Sequence, residues 1–158
     1  MSSKSRRGFL TERQIEVLRL RLRGLTQEKV AEALGTSREN VSVIEKRARE
    51  KLRLALETLE IFLELSSTAV VELEEGVGVE EAALSVFRAA DEVGVKLKET
   101  FTEVVEALRR ASASKGASLG RRLRVYVRRD GFVVVRRVPP EELEVLSSFT
   151  SASRARRA

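Results

Sequence analysis

Residues 26–44 constrain the fold of this chain most, because their small and turn-forming residues have the spacing of a helix-turn-helix. Ala31 is small enough to let two helices cross closely, and Gly35 permits the tight turn between them. Val41 and Ile44 then face inward from the second helix. In such a motif the second helix enters the major groove of DNA. The spacing therefore predicts a helix that reads DNA.

Apolar spacing predicts three helices around one small core. Ile15, Leu18 and Leu22 recur at the spacing of one helical face and form the stripe of the first helix. A shorter stripe follows in the second helix, where it reaches Leu34 and is stopped by Gly35. These two stripes and the inward face of the third helix can close on a shared core.

Two threonines predict where helices of the motif begin. Thr11 stands three residues before Gln14, and Thr36 stands three residues before Glu39, which is the spacing of a capping box. Each box would satisfy backbone donors that the first helical turn leaves free. We therefore expect one helix to begin just after Thr11 and the recognition helix just after Thr36.

A resemblance to known DNA-binding domains covers about residues 10–53, which contain L-T-E-R-Q-I-E-V-L-R-L and then G-L-T-Q-E-K-V-A-E-A-L-G-T-S-R-E-N-V-S-V-I-E-K-R-A-R-E-K-L-R. This segment is similar to region four of bacterial sigma factors and to LuxR-type domains. In the sigma pattern an Arg-Glu pair at the recognition-helix start reads bases, and Arg38 and Glu39 stand there. That pattern has Arg and Gln where this chain has Ser42 and Val43, so the same target sequence is not implied. The whole chain resembles the archaeal Tfx family of DNA-binding transcriptional regulators.

The outer face of the third helix is predicted to contact bases. Arg38 can pair with a guanine, Glu39 can accept from a cytosine amino group, and Asn40 can reach an adenine or a phosphate. For Glu39 the capping box is an equally good explanation. The predicted base-reading residues are Ser37, Arg38, Glu39, Asn40, Ser42, Val43 and Lys46. The predicted phosphate-binding residues are Arg19, Arg21, Arg23, Thr26, Gln27, Arg47 and Arg49.

The third helix is predicted to run from residue 37 to about residue 65, since its apolar spacing continues with no Gly or Pro before Gly76. Its charges from residue 52 onward form one narrow stripe that includes Glu57, Glu60 and Glu64, so several sides need apolar partners. The helix packs under the C-terminal domain, pairs with a second chain, or does both; the core of one continuous domain is the alternative. The acidic stripe is expected to face solvent or the C-terminal domain. The predicted dimer contacts are Leu52, Ala55, Leu59 and Phe62.

The C-terminal half is predicted to be a small α+β domain of order β-α-β-α-β-β. A capping box of Thr100 and Glu103 opens its second helix, residues 112–120 form a flexible link, and Asp130 and Gly131 form a two-residue hairpin turn. The predicted strands cover residues 69–73, 95–98, 121–129 and 132–138, and the predicted helices cover 79–93 and 100–112.

Charge is distributed in three blocks. Lys and Arg outnumber Asp and Glu by 14 to 7 in residues 1–56 and by 11 to 4 in residues 114–158, whereas acidic residues lead by 13 to 5 in between. A basic end that contains a helix-turn-helix fits phosphate binding, and an acidic middle should face away from a duplex. We predict a helix-turn-helix domain at 1–66, an α+β domain at 67–146 and a basic, disordered tail at 147–158.

Composition argues against several classes of function. The chain has no cysteine and no histidine, which removes thiolate and imidazole ligands and the usual general base. The turn at residues 76–78 lacks the third glycine of a dinucleotide fingerprint and the lysine of a P-loop. We therefore expect no enzyme, no cofactor and no metal. Without a membrane-spanning apolar run or a signal peptide at the N-terminus, a cytoplasmic location is expected. A single asparagine and 34% charged residues are typical of proteins from hot environments.

Three hypotheses of function follow. The first is a sequence-specific transcriptional regulator that binds double-stranded DNA, whose C-terminal domain assembles a homodimer or senses a signal such as a small-molecule effector. The second is an RNA-binding or translation-associated protein that uses the hairpin arginines, although a solvated sheet face explains them better. The third is a metabolic enzyme, against which the lack of His and Cys speaks. The hairpin arginines are Arg124, Arg128, Arg136 and Arg137.

Overall fold

The computed structural model describes residues 8–140, 142–145 and 147–148, and the α+β class is confirmed. The chain divides into two compact units within its third helix: the first holds the described residues up to Glu57 and from Glu142 onward, and the second is Thr58–Glu141. The elements in chain order are α1 (Glu12–Leu22), α2 (Gln27–Leu34), α3 (Arg38–Ser66), β1 (Ser67–Leu73), α4 (Val79–Glu92), α5 (Phe101–Ser112), β2 (Leu123–Arg128) and β3 (Val133–Arg137).

The first unit is a helix-turn-helix with a small core. Val17 of α1, Val30 and Ala31 of α2, and Val41 of α3 are buried together, as expected of three helices that share one core. Gly35 ends α2 in the left-handed conformation at φ 60°, which suits a residue without a Cβ. The predicted tight turn is therefore confirmed.

The buried stripe of α1 differs from the predicted one. Its buried residues include Val17 and Leu18, whereas Ile15 is half-buried and Leu22 is 60% exposed. The prediction considered only apolar residues, and it missed that the charged residue Arg21 occupies part of the buried face. The assignment of Leu22 to the buried face was wrong, and Ile15 lies at the edge of that face.

One helix cap is as predicted and another is shifted by one residue. The capping box of Thr11 and Gln14 is present. At the start of α3, however, the hydroxyl of Ser37 accepts from the backbone N–H of Asn40 at 3.1 Å, while the Asn40 side chain donates to the Thr36 hydroxyl at 2.8 Å. Ser37 rather than Thr36 therefore caps the recognition helix, and Glu39 is free of the predicted box.

The second unit is a three-stranded antiparallel sheet with two helices. The strand order is β1-β2-β3, with Val125 opposite Val71 on one side and opposite Val135 on the other. Apolar residues from one sheet face, including Val125, pack with Val86 of α4 and Leu108 of α5 in a single buried cluster. Thr100 and Glu103 form the predicted capping box of α5.

Two connections in this unit differ from the prediction. Residues 95–98 are not a strand, although Val95 and Leu97 do pack against the core. The described backbone bonds of this segment run from Val95 N to Ala90 O and from Lys98 N to Gly131 O, which do not form a ladder. The order of elements along the chain in this unit is thus β-α-α-β-β. Residues 112–120, predicted to be a flexible link, contain the buried Leu119, which exchanges backbone bonds with the turn at residues 76–79.

The hairpin turn is one residue longer than predicted. The backbone N–H of Arg128 donates to Phe132 O, and Gly131 N donates to Arg128 O, which encloses a loop of Arg129, Asp130 and Gly131. Only Gly131 of these has a positive φ, at 86°, so the loop is a turn followed by a left-handed glycine. A Cβ at Gly131 would lie 2.5 Å from Lys96 O, which reserves the position for glycine.

The end of the chain is only partly described. Ser147 and Ser148, which the prediction placed in the disordered tail, are helical. The rest of that tail, residues 149–158, lies outside the described residues. Among the helices that the structure describes, none is both long and apolar enough to cross a bilayer.

Candidate nucleic-acid interface

A buried ionic cluster joins the three helices of the first unit. The Arg21 guanidinium of α1 donates from Nε to Glu45 Oε2 of α3 at 3.0 Å, and Gln27 of α2 donates to the same oxygen at 3.0 Å. Arg21 also donates to the Leu25 carbonyl at 2.6 Å. Glu45 is 2% exposed and Arg21 8%. This cluster fixes the orientation in which α3 presents its outer face.

Two residues predicted to bind phosphate belong to this cluster. Arg21 and Gln27 both donate to Glu45 inside the unit, and Arg21 is buried while Gln27 is half-buried. Their role as phosphate ligands stays a prediction. A signal for the cluster exists in the sequence, because Arg21 is spaced four residues after Val17, and Glu45 four after Val41, on the buried faces. The spacing does not show that Arg21 and Glu45 are partners, because they lie on different helices and meet only in the folded unit.

The residues predicted to read bases lie together on the outer face of α3. Val41 and Ala48 are fully buried and Ile44 is half-buried, as expected of the inward face. The side chain of Arg38 is 42% exposed. The exposed members of the predicted set are Ser37, Glu39, Asn40, Ser42, Val43 and Lys46.

The arginine at the start of α3 is held by the preceding helix. Arg38 Nε lies 2.8 Å from Glu28 Oε1 of α2. The Nε atom is shielded from solvent but makes no hydrogen bond in the described structure. The contact is therefore an exposed ion pair beside the turn, and much of the Arg38 side chain stays accessible.

The remaining predicted phosphate contacts fall into two groups. Arg19, Arg23 and Arg47 are exposed and have no ion-pair partner within the described part of the chain. Thr26 caps α2 by accepting from Lys29 N at 3.4 Å, and Arg49 is half-buried and engaged by another group. The three exposed arginines are the ones with free donors.

The hairpin arginines of the second unit are engaged within that unit. Arg124 lies 3.2 Å from Glu64 and also bonds Glu72, and Arg136 lies 3.3 Å from Glu60. Arg128 bonds Asp130 at 2.5 Å, and Arg137 donates to the Ala111 carbonyl at 2.7 Å. These partners compete with RNA for the four cations on which the second hypothesis relies.

Tyr126 lies within this charged network. Its hydroxyl donates to Glu60, and the residue is fully buried. Burial, reinforced by the Glu60 carboxylate, raises the pKa of Tyr126 to about 12. Glu60 and Glu64 thus face the sheet of the C-terminal domain, one of the two directions expected for the acidic stripe.

The residues predicted to form a dimer contact separate into two groups. Leu52 and Ala55 are half-buried, and Leu52 packs against Leu18 and Ala48 in its own chain, so their part in an intermolecular contact stays a prediction. Leu59 is 41% exposed and Phe62 63%. Two further apolar residues that the prediction missed, Ile61 and Leu65, are exposed on the same part of α3.

Comparisons with known proteins agree with the helix-turn-helix. The family profile described as DNA-binding protein, TFX, C-term matches residues 55–135, and that of sigma-70 region 4 matches residues 9–54. The described residues contain no group of three or more acidic side chains placed to hold a metal ion.

Relatives cover most of the chain. A protein of Methanocaldococcus jannaschii, whose name describes a transcriptional regulatory protein, is 39% identical over 126 residues, covering 78% of this chain and 92% of the relative. One of Haloarcula marismortui with the same description is 34% identical over 139 residues, 87% of each chain. DNA-binding protein Tfx of Methanothermobacter thermautotrophicus is 35% identical over 91 residues, 58% of this chain and 66% of its own. The chain therefore belongs to the Tfx family of DNA-binding transcriptional regulators.

Proposed function

We propose that this protein is a sequence-specific transcriptional regulator that reads the major groove of duplex DNA with the first two turns of α3. The observation that carries the proposal is the contrast between the two faces of this helix. Val41 and Ala48 are completely buried, whereas Ser42, Val43 and Lys46 are exposed without an ionic partner in the described chain. A polar helix face held out from a compact unit has the shape that enters a major groove.

Arg38 is the strongest candidate for direct base recognition. Its Nε lies 2.8 Å from Glu28, and its side chain is 42% exposed at the start of α3. A guanidinium in this position can pair with guanine O6 and N7. Glu39, now free of a capping role, supports the same face as an acceptor for a cytosine amino group.

The exposed arginines supply the sequence-independent part of binding. Arg19, Arg23 and Arg47 have free donors, which suits contacts to phosphate. Thr26 remains a candidate, since its hydroxyl accepts one bond and still has a proton to donate. A cytoplasmic location is part of the same proposal, because the target is DNA.

Selection from a randomised duplex library tests this function. The wild-type protein should enrich a defined motif, and unrelated structured RNA at equal nucleotide concentration should not displace the selected duplex. Enrichment of no motif, or displacement by RNA as efficient as by the duplex itself, would contradict the proposal.

The second unit is proposed to assemble two subunits. Leu59, Ile61, Phe62 and Leu65 expose between 41% and 81% of their surface on one end of α3, and burial against a second copy would remove this area from water. Helix-turn-helix dimers bind paired half-sites, which gives the partner its identity as another copy of this chain. For an effector, the unit offers an open pocket of about 360 Å³ beside Phe87 and Lys96, within the size range of small-molecule sites.

Charge introduced into the apolar surface tests the assembly. Leu59→Glu with Phe62→Glu should convert a dimer to a monomer in light scattering, because two unpaired carboxylates cannot be buried in the contact. Leu84→Glu, at a leucine 46% exposed on α4, is the matched control and should leave the mass unchanged. A wild-type monomer at high concentration would contradict the dimer.

A further inference from the structure

A cationic cleft lies beside the reading face of α3 in the first unit. The cleft has a volume of about 750 Å³ and lies between the start of α1, at Thr11, and the middle of α3, where Val43 and Lys46 form part of its wall. Its other basic residues are Arg13, Arg47 and Lys51, and its one carboxylate is Glu50. The cleft is therefore continuous with the proposed base-reading residues.

The positive charge of the cleft is not compensated within the described part of the chain. Arg53, outside the cleft, holds the Glu50 carboxylate at 2.7 Å, and their hydrogen bond lowers the pKa of Glu50. Arg13 is paired with Glu16 at 3.2 Å. Lys46, Arg47 and Lys51 have no carboxylate partner among the described residues. Three positive charges without a carboxylate partner in the described chain thus line one cleft.

Lys51 is the basic residue whose position is fixed. Its Nζ donates to the Phe9 carbonyl at 2.9 Å and to Gln14 Oε1 at 3.0 Å. An ammonium group has three protons, so one donor remains after these two bonds. Neutral acceptors hold the group in place without cancelling its charge, which is what a preorganised anion site requires.

We propose that this cleft binds a backbone phosphate of the DNA that α3 reads, with Lys51 as the fixed donor and Arg47 as its exposed neighbour. The inference rests on the proposed function and names a contact that lies next to the groove. A phosphodiester offers anionic oxygens to several cations at once, and a contact of this type positions the protein without informing base preference. Lys51 is therefore expected to affect affinity for all duplexes, whereas Arg38 is expected to affect base preference.

The salt dependence of duplex binding tests the site. Loss of one phosphate contact should reduce the slope of log K against log salt by about 0.9, which is about eightfold in affinity at about 0.1 M salt. Lys51→Gln should show this change with an unaltered selected motif, and Lys51→Arg should retain the wild-type slope. Lys115→Gln, an equal charge change at an exposed lysine of the second unit, is the matched control. Arg47→Gln provides a second variant that leaves the bonds of Lys51 intact.

Neutral phosphate analogues locate the contact. A methylphosphonate is placed at one phosphate of the selected duplex at a time. At the phosphate that the cleft contacts, the substitution should weaken binding by the wild-type protein but should not weaken binding by Lys51→Gln any further. The site would be overturned if the losses of affinity from the analogue and from Lys51→Gln were additive at every phosphate, or if both Lys51→Gln and Arg47→Gln kept the wild-type salt slope. In either case the motif selected by the wild-type protein would still support the proposed function. Saturable binding of inorganic phosphate at constant ionic strength, abolished by Lys51→Gln and not competed by duplex, would assign the cleft to a free anion instead.

Discussion

The two basic regions of the molecule differ in what their arginines contact. In the first unit Arg19, Arg23 and Arg47 are exposed and have no ion-pair partner in the described chain. In the second unit Arg124 and Arg136, which face each other across β2 and β3, bond glutamates of α3 and β1. Both regions are rich in arginine, yet Arg124 and Arg136 are ion-paired within their unit, whereas Arg19, Arg23 and Arg47 have no ion-pair partner in the described chain.

The difference shows that net charge in a sequence block does not identify a nucleic-acid surface. Counterions released from DNA are replaced by protein cations, and an ion pair within the protein competes with that exchange. Burial adds a second distinction, because Arg21 of the first unit serves the interior together with Glu45. The partner of each cation therefore decides its role.

The largest expected effect comes from the buried pair of the first unit. Glu45→Ala should lower the free energy of unfolding by about 3–5 kcal/mol, because it leaves the Arg21 charge buried without a partner. Glu39→Ala, at an exposed glutamate of the same helix, should change it by about 0.5 kcal/mol or less. Urea denaturation followed by helical circular dichroism measures both. A loss from Glu45→Ala no greater than that from Glu39→Ala would show that the cluster does not hold the helices together.

The charged network of the second unit should be visible in the ionisation of its tyrosine. Tyr126 is the only tyrosine and the chain has no tryptophan, so ultraviolet absorbance of the phenolate reports on it alone. Its pKa should be about 12. Glu60→Gln should lower that value, because the carboxylate disfavours the phenolate, whereas Glu75→Gln, at an exposed carboxylate, should not.

The same pKa predicts a dependence of stability on pH. The folded pKa of Tyr126 lies above the ordinary value of about 10, so its contribution is complete below about pH 10 and is lost as pH rises toward about 12. The loss should reach at most about 1.4 kcal/mol per pH unit. Tyr126→Phe should remove this component of the slope in denaturation series across that range. An equal slope in both proteins would contradict the assignment.

A smaller effect is expected where a carboxylate supports the reading face. Glu28→Gln should reduce discrimination at the base pair that we propose Arg38 reads by about 1 kcal/mol or less, because the exposed ion pair contributes only modestly. Affinity for non-specific DNA should rise slightly, since a negative charge is removed. Glu32→Gln, at an exposed glutamate later in α2, controls for the charge change. Discrimination equal to that of Glu32→Gln would remove Glu28 from the reading face.

Local features of the fold could be predicted, and features that depend on assembly could not. The caps at Thr11 and Thr100 use residues three apart, so spacing reveals them. The choice between Thr36 and Ser37 as a cap depended on which hydroxyl the Asn40 backbone reaches. Residues 95–98 alternate as a strand does but lack a ladder partner.

The candidate site shows the same limit. The outer face of α3 follows from its 3.6-residue period, and the structure places those residues together on the exposed face. Local spacing places Arg21 and Glu45 on buried faces, but it does not identify them as partners, because they are 24 residues apart. The anchoring of Lys51 depends in the same way on Phe9 and Gln14.

The central claim is that α3 reads bases through Arg38 while the free arginines contact phosphates. The most direct measurement is selection from a randomised duplex library with Arg38→Ala and Arg47→Ala in parallel with the wild-type protein. Arg38→Ala should cost about 1–3 kcal/mol on the wild-type motif and relax preference at one base pair, whereas Arg47→Ala should weaken all duplexes alike and keep the motif. If Arg38→Ala selects the wild-type motif unchanged, or if Arg47→Ala alters it, the division between base reading and phosphate binding is wrong.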